Sequence, residues 1–281
     1  MERKSYEELT FSDNFMFNKV MLNKSVCRKV LSLLLNEDVG PLNEVSYEKS
    51  IQTTAQSKPI RLDIFTKDDK ALYDAEMQNK NNKSVESIAL PRRSRYYQSM
   101  IDIEAIDSGK GYRELLDSNI IFICTFDPFD RGLPVYTFHS KCEETSSLNL
   151  PDGCAKYFFN VTADPKQIPD DLKAFFRYTV SGEATDELTK EIDVIVKSNR
   201  TNEEWRTEYM YFNIIEQDAK EEGREEGREE GREEERAKTA QALLERDDAL
   251  SERNDALSKM NEALLEVERL KALLLENGIE A

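Results

Sequence analysis

Apolar and polar side chains alternate along residues 61–80, RLDIFTKDDKALYDAEMQNK. Alternation with a period of two is typical of β-strands, and the charged stretch in the middle predicts a turn over residues 68–71. The segment is therefore predicted to form a β-hairpin. Folding it about this turn gives the cross-strand pairs Lys67–Leu72, Ile64–Ala75, Leu62–Met77 and Asp63–Glu76.

The predicted hairpin has two unlike faces. Because side chains alternate along a strand, the core-facing side carries apolar residues, namely Leu62, Ile64, Ala75 and Met77. The other side carries Asp63, Glu76 and Gln78. Like charges placed directly opposite each other destabilise an antiparallel pair by about 0.2–1 kcal/mol, so the two carboxylates require an explanation.

The pattern along the rest of the chain predicts further helices and strands. Helical spacing of apolar residues covers 12–36, 84–106 and several stretches from about 168 onward, and strand-like segments cover 44–56, 119–126, 133–141 and 156–162. The order is a helix, three strands, a helix and a further strand. It predicts an α/β or α+β domain in which a mixed sheet is flanked by helices.

Composition changes beyond Gln217. Three EEGR repeats give Glu–Arg pairs at helical spacing, but each contains a glycine that costs about 1 kcal/mol relative to alanine, which predicts a marginal helix or hinge over 218–241. Four heptads follow over 242–269, with leucine at every seventh position. We therefore expect a domain over 1–217, a charged linker over 218–241, and a coiled-coil tail over 242–281 that forms a homo-oligomer. The alternative is a single solvated helix.

Bulk properties indicate no membrane or secretory segment. The N-terminal residues lack the apolar stretch of a signal peptide, and the longest apolar run, IIFIC at 120–124, is too short to span a bilayer. The four cysteines form no CxxC pair, so we interpret them as reduced thiols. The expected location is the cytoplasm.

Charge is distributed unevenly along this acidic chain. The net charge of −17 argues against a protein that coats nucleic acid, and residues 216–281 hold 21 acidic and 11 basic residues. Residues 49–113 instead hold 12 basic and 9 acidic residues, and PRRSRYYQ at 91–98 sets three arginines beside two tyrosines. Such a segment could bind a phosphate group, or it could be an ordinary solvated helix face.

Several catalytic classes are excluded by the absence of their motifs. His139 is the single histidine, no Cys/His set has zinc spacing, and neither G-x-S-x-G nor a glycine-rich phosphate loop occurs. Carboxylate chemistry remains. Two carboxylates on adjacent strands are hard oxygen ligands suited to Mg²⁺ or Mn²⁺, although exposed acids are also common in ordinary hairpins.

The pattern D-x12-E-x-Q, set after one helix and before an Arg/Tyr-rich helix, resembles the PD-(D/E)XK nuclease superfamily. Within it, the chain looks similar to the recombination-promoting nuclease group, often labelled PD-(D/E)XK nuclease family transposases. The resembling stretches span most of 10–236: SDNFMFNKVM, IRLDIFTKD, AEMQNK, RRSRYYQSM, GKGYRELLDSNIIFICTFDPF and the EEGR tail.

The resemblance implies a restriction-endonuclease-like mixed-sheet core and a Mg²⁺- or Mn²⁺-dependent DNA endonuclease of low activity. It implies that Asp63 and Glu76 bind the metal, and that Gln78 completes the catalytic set where the superfamily usually has lysine. Asp13 matches an acidic position on the family's first helix, but it could equally cap that helix. Arg93 and Tyr97, four residues apart, are the candidates for binding DNA phosphate.

Two other interpretations stay open. One is a catalytically weak or inactive relative that binds DNA or a protein through the same fold. The other takes the transposase label literally, which would require a third acidic residue and basic end-binding modules. This acidic chain offers no obvious room for such modules, so we rank it last.

Overall fold

The structure is a computed structural model that describes residues 4–79, 86–106, 108–145 and 147–276. Lys80, the first two residues of the predicted helix 84–106 and the last five residues of the predicted tail lie outside the described residues. The chain divides into two compact units, Met1–Tyr209 and Met210–Ala281.

The first unit contains a six-stranded sheet and its covering helices. The strands are β1 (Val45–Ile51), β2 (Ile60–Lys67), β3 (Ala71–Gln78), β4 (Asp117–Cys124), β5 (Val135–Phe138) and β6 (Cys154–Asn160). The helices are α1 (Asn14–Met21), α2 (Lys24–Leu35), α3 (Glu86–Ala105), α4 (Asp170–Ser181), α5 (Glu187–Asn199) and the start of α6 (Glu203–Glu276). Every strand predicted from the sequence is present, within a few residues at its ends.

The sheet is mixed, as predicted. Its strand order is β1-β2-β3-β4-β6-β5. The first three strands are antiparallel neighbours joined by short connections, whereas β3 pairs in parallel with β4, and β4 with β6. A parallel neighbour requires a crossover, and α3 supplies the one between β3 and β4. The expected α/β fold with a mixed sheet flanked by helices is confirmed.

Each face of the sheet has its own hydrophobic core. The larger core joins the odd-numbered residues of β3 to α1, α2, α4 and α5. The smaller core joins Leu72 of β3 and alternate residues of β4 to α3. Because neighbouring residues of a strand point to opposite faces, even-numbered polar residues of β3 must lie on the α3 side.

The segment 12–36 is helical, as expected, but it forms two helices separated by a short break. α1 ends at Met21, and α2 begins at Lys24. The reason is Asn23, whose side-chain oxygen accepts hydrogen bonds from the main-chain N–H groups of Ser25 and Val26. Such an N-cap starts a new helix and allows the chain to change direction.

The turn of the hairpin is built around Asp68. Its Oδ1 accepts hydrogen bonds from the main-chain N–H groups of Lys70 and Ala71, each at 2.8 Å. Its Oδ2 accepts hydrogen bonds from the main-chain N–H of Gly40 and from the Tyr73 hydroxyl. This Asx-type turn fixes the register, and the predicted pairs Lys67–Leu72 and Ile64–Ala75 are confirmed. The turn therefore sets where β2 and β3 meet.

The second unit is helical through residue 276, including the EEGR repeat. Its three glycines meet no atoms that a Cβ would touch, and the side chains of 221–273 are exposed. The repeat is thus part of a continuous helix whose side chains, over the described residues 221–273, do not pack in a core. No helix in the described part of the chain has both the length and the apolar character needed to cross a membrane.

We predict that Asp68→Ala lowers the free energy of unfolding by about 2–4 kcal/mol, because four donors lose a charged acceptor. Urea denaturation of the full chain measures this. Asp69→Ala is the matched control: Asp69 is exposed in the same turn, and its loss should change stability by at most about 0.5 kcal/mol. Equal effects of the two substitutions would contradict this account of the turn.

Candidate functional site

Asp63 lies at the point in β2 where the buried side chains change from one face of the sheet to the other. Ile64 packs in the larger core, but Leu62 packs in the smaller core beside α3. Residues two apart on a regular strand share a face, so β2 must twist at Asp63. Glu48, which lies between the residues paired with Leu62 and Ile64, has a left-handed backbone with φ of 48°, which is uncommon outside glycine.

This twist corrects one prediction about the hairpin. The sequence placed Leu62 on the same apolar face as Ile64 and Ala75, but the structure places it on the opposite side of the sheet. The main-chain pairing of β2 with β3 is accordingly regular only as far as Ile64 and Ala75. Beyond that point the two strands are joined in a different way.

Beyond Ile64 and Ala75, the Asp63 and Glu76 carboxylates replace the main-chain hydrogen bonds that would join a regular antiparallel pair. The main-chain N–H of Asp63 donates to Glu76 Oε1 at 2.9 Å, and the N–H of Met77 donates to Asp63 Oδ2 at 3.1 Å. Each carboxylate thus binds the backbone of the opposite strand. The structure brings together the two acids that the sequence placed opposite each other.

Glu76 also binds two side chains through its second oxygen. Arg93 Nη2 donates to Oε2 at 3.2 Å, and Gln78 Nε2 lies 3.4 Å from the same atom. The Glu76 side chain is only 4 % exposed, whereas that of Arg93 is 32 % exposed. Gln78 is half-buried at the end of β3, so Arg93 and Gln78 are the members of this group nearest to solvent.

Arg93 and Tyr97 lie on one side of α3, as their spacing predicted, but they face inward. The Arg93 guanidinium carbon lies 5.4 Å from the centre of the Tyr97 ring and 5.1 Å from that of Phe122. Tyr97 is buried in the smaller core. Tyr97 therefore does not lie on an open helix face, and Arg93, although partly exposed, binds the Glu76 carboxylate.

Asp74 is a third acid at this site, and the sequence interpretation overlooked it. It is 1 % exposed on β3, two residues before Glu76 and therefore on the same face. Neither of its oxygens accepts a hydrogen bond from a fixed donor in the described residues. The hydrogen bond open to it comes from the Glu76 carboxyl when that group carries a proton. The sequence signal was present: in DAEMQ, polar residues recur at every second position of an otherwise apolar strand.

The three acids carry more negative charge than their surroundings compensate. Burial raises the pKa of Asp63 to about 6, while the N–H of Met77 and the charges of Arg93 and Arg61 oppose the shift. Burial, followed by the charge of Asp63, raises the pKa of Asp74 and of Glu76 well above their ordinary values. Arg93 binds Glu76, and all three carboxyl groups favour binding a proton or another cation.

Asp13 does not join this cluster. It occupies the N-cap position of α1, but its carboxylate accepts hydrogen bonds from Lys4 Nζ and from the Thr10 main chain and hydroxyl instead of capping the helix. The start of α1 nevertheless lies beside the end of β3, because the Asn79 side chain donates to the Ser12 carbonyl. Asp13 thus flanks the site without contacting its acids.

The carboxylate oxygens of the cluster are ligands of the kind that divalent cations prefer, and Asp74 in particular lacks a compensating partner among the described residues. Carboxylate oxygens are the preferred ligands of Mg²⁺ and Mn²⁺, and the Asp74 oxygens lack a fixed donor. Glu76, by contrast, has both oxygens engaged. Among the described residues, no three His, Cys, Asp or Glu side chains are grouped as a ready-made metal site.

Comparisons with known proteins gave no matching family model, no similar curated protein and no similar solved structure. The site must accordingly be interpreted from its own geometry.

We predict that the protein loses stability as the pH rises from 5 to 8 in the presence of a chelator. The pKa values of all three acids are raised by folding, so their contribution is full below about pH 4 and is lost as the pH rises through about 6 and beyond. Melting temperature measured against pH tests this.

Asp74→Asn isolates the cause of this dependence. It keeps the shape of the side chain but removes the charge, so we expect it to exceed the wild type in stability by about 1–3 kcal/mol at pH 8, with little difference at pH 4.5. The exposed Asp69→Asn is the control and should follow the wild type. A wild type that becomes more stable between pH 5 and 8 in parallel with Asp74→Asn would rule out the buried acids as the source.

Proposed function

We propose that the protein is a divalent-metal-dependent DNA endonuclease of low activity that uses the Asp63–Asp74–Glu76 cluster. The observation that carries the proposal is the surplus of buried negative charge at this one place in the sheet. Structural ion-pair networks also perturb pKa values, but they normally provide a donor for each carboxylate, and Asp74 has no fixed donor among the described residues.

Asp63, Asp74 and Glu76 would hold the ion through oxygen atoms. A bound divalent ion supplies a more acidic water molecule and neutralises charge on a phosphate under attack. The chain's own contribution is to keep the carboxylates in place: Asp63 and Glu76 are each anchored to the main chain of the opposite strand. Such anchoring limits the side-chain freedom that an ion would otherwise have to restrict.

Arg93 competes with a cation for Glu76. Its guanidinium already neutralises the Oε2 atom that an ion would need, and it is the more exposed partner of the pair. A guanidinium released from Glu76 suits a phosphate oxygen, because its fork of donors matches phosphate as well as carboxylate. Both roles fit one residue at the edge of the site.

Gln78 stands where a lysine would supply positive charge. In the structure its amide lies beside Glu76 Oε2, from which it can orient a carboxylate or a water molecule but cannot neutralise charge. This limits the expected rate. The fold supports the assignment in a general way, since the mixed sheet flanked by helices is what the resemblance to PD-(D/E)XK nucleases implied.

A second candidate is a protein of this fold that binds DNA or another protein without cleaving it. The hydrogen bonds of Glu76 favour this alternative, because both carboxylate oxygens have hydrogen-bond partners without a metal. The same contacts would stabilise a site that no longer binds an ion. A transposase stays the least supported proposal, since the described residues provide no basic module for binding DNA ends.

We predict that the purified protein nicks supercoiled plasmid in Mg²⁺ or Mn²⁺ and not in chelator. Asp63→Asn, Asp74→Asn and Glu76→Gln should each lower the rate about 100-fold or more, because each removes charge that holds the ion. Asp69→Asn is the control and should retain full activity. Wild-type rates in all three site variants would remove the cluster from the mechanism.

Metal binding should be measured on the same variants without DNA. Isothermal titration with Mn²⁺ is expected to show binding to the wild type and to Asp69→Asn, with at least a tenfold loss for Asp74→Asn. Binding without nicking would support the non-catalytic alternative, and absence of both would overturn the proposed site.

We predict that Gln78→Lys keeps or increases the nicking rate and that Gln78→Ala lowers it about tenfold. Lysine adds a positive charge beside the reacting phosphate, whereas alanine removes the amide next to Glu76. Circular dichroism should confirm that both variants keep the fold. Unchanged activity of Gln78→Ala would show that the amide has no part in the reaction.

A further inference from the structure

The segment 242–269 of α6, called the tail here, presents an exposed apolar stripe. Leucine recurs at every seventh residue as Leu243, Leu250, Leu257 and Leu264, and these side chains are 40–55 % exposed. The next inward-facing position, three residues later, is occupied in turn by Arg246, Arg253, Met260 and Val267. A helix with this repeat is suited to pairing with another helix of the same repeat.

A second copy of this chain provides such a helix. Its tail has the same period and the same length, so apolar positions can meet along all four heptads. The direction in which the second copy runs is decided by the two arginines. In a parallel pair, each core position meets its own counterpart, so Arg246 would face Arg246 and Arg253 would face Arg253.

Reversing one helix removes both like-charge contacts. With a two-fold axis beside Asp255, every arginine meets a leucine, and every position from 243 to 267 has a partner. The opposed residues are Leu243 with Val267, Arg246 with Leu264, Leu250 with Met260, and Arg253 with Leu257. The Arg246 guanidinium already turns away from the stripe to bind Asp247 at 2.7 Å, leaving its aliphatic stem available for packing.

The positions flanking the stripe favour the same direction. Alanine precedes each leucine, and on the other flank lie Asp247, Asn254, Asn261 and Glu268. In a parallel pair each alanine would face one of these polar residues. In the reversed pair alanines meet alanines, such as Ala249 with Ala263, and polar residues meet polar ones, such as Asp247 with Asn261. Apolar surface is then buried along one whole flank.

Other reversed alignments are poorer. Shifting the helices by one heptad in one direction sets Leu264 against Thr239 and Val267 against Arg236, which are polar. Shifting them in the other direction sets Arg246 against Lys271. The alignment centred at Asp255 avoids both defects.

We propose that the tail pairs with the tail of a second copy as an antiparallel coiled coil centred at Asp255. This pairing is independent of the nuclease proposal and leaves the two chains entering the coil from opposite ends.

Disulfide formation in the full chain tests the direction. In a background of Cys142→Ser and Cys154→Ser, the variants Leu250→Cys, Met260→Cys and the double variant are oxidised mildly at micromolar concentration. Cys27 and Cys124 are buried and stay in place. In the antiparallel pair residue 250 meets residue 260, while the two copies of residue 250 are about 15 Å apart along the axis, too far for a disulfide.

The expected result is at least about tenfold more cross-linked dimer for the double variant than for either single variant on a non-reducing gel. Asp248→Cys/Ser258→Cys, with the same spacing away from the stripe, is the matched control. Efficient cross-linking of Leu250→Cys alone would show a parallel pair. No excess of the double variant over the off-stripe control would show that the tails do not pair. Either outcome overturns the proposal.

A second set of variants tests whether repulsion between the arginines selects the antiparallel direction. Arg246→Leu/Arg253→Leu removes the like charges that oppose a parallel pair, so cross-linking of Leu250→Cys alone should rise several-fold. If it does not rise, the arginines do not select the direction.

Discussion

The cluster of Asp63, Asp74 and Glu76 beside the Arg93 guanidinium is the interaction on which the first unit's most unusual features depend. Asp63, Asp74 and Glu76 meet where a regular antiparallel pair would place apolar or uncharged side chains. Desolvation of a carboxylate costs several kcal/mol unless donors or a cation compensate. The compensation is partial: Asp63 and Glu76 bind main-chain N–H groups, Arg93 binds Glu76, and no described residue donates a fixed hydrogen bond to Asp74.

The backbone around the acids is shaped to make this arrangement possible. Regular pairing of β2 with β3 stops after Ile64, and the freed N–H groups of Asp63 and Met77 become donors to carboxylates. The left-handed conformation of Glu48 accompanies the twist on the neighbouring strand. A strained backbone position and an interrupted ladder each cost stability, so their coincidence at the acids connects the local geometry to the charge cluster.

The period of the sequence predicted the elements well, because hydrophobic alternation and helical spacing are local properties. The hairpin turn followed from Asp68 and its neighbours. The break at Asn23 was also readable as a cap, although it was overlooked. The position of Leu62 was not readable, since it depends on a twist shared between β1 and β2. Likewise, the contact of Arg93 with Glu76 arises from how α3 packs on the sheet, which spacing along one helix does not encode.

A core selected for stability alone would fill these positions differently. Replacing buried ionic groups by apolar residues of similar size is often neutral or stabilising, and Asp74 is a buried acid without a fixed donor in the described part of the chain. Asp74 is not needed to complete the fold in the way that Asp68 is, because Asp68 satisfies four donors, whereas Asp74 has no fixed donor among the described residues. Sites that trade stability for chemistry have this character. The contrast between two aspartates six residues apart on one hairpin separates Asp68, whose carboxylate orders the turn, from Asp74, whose buried carboxyl group has no fixed donor among the residues that the structure describes.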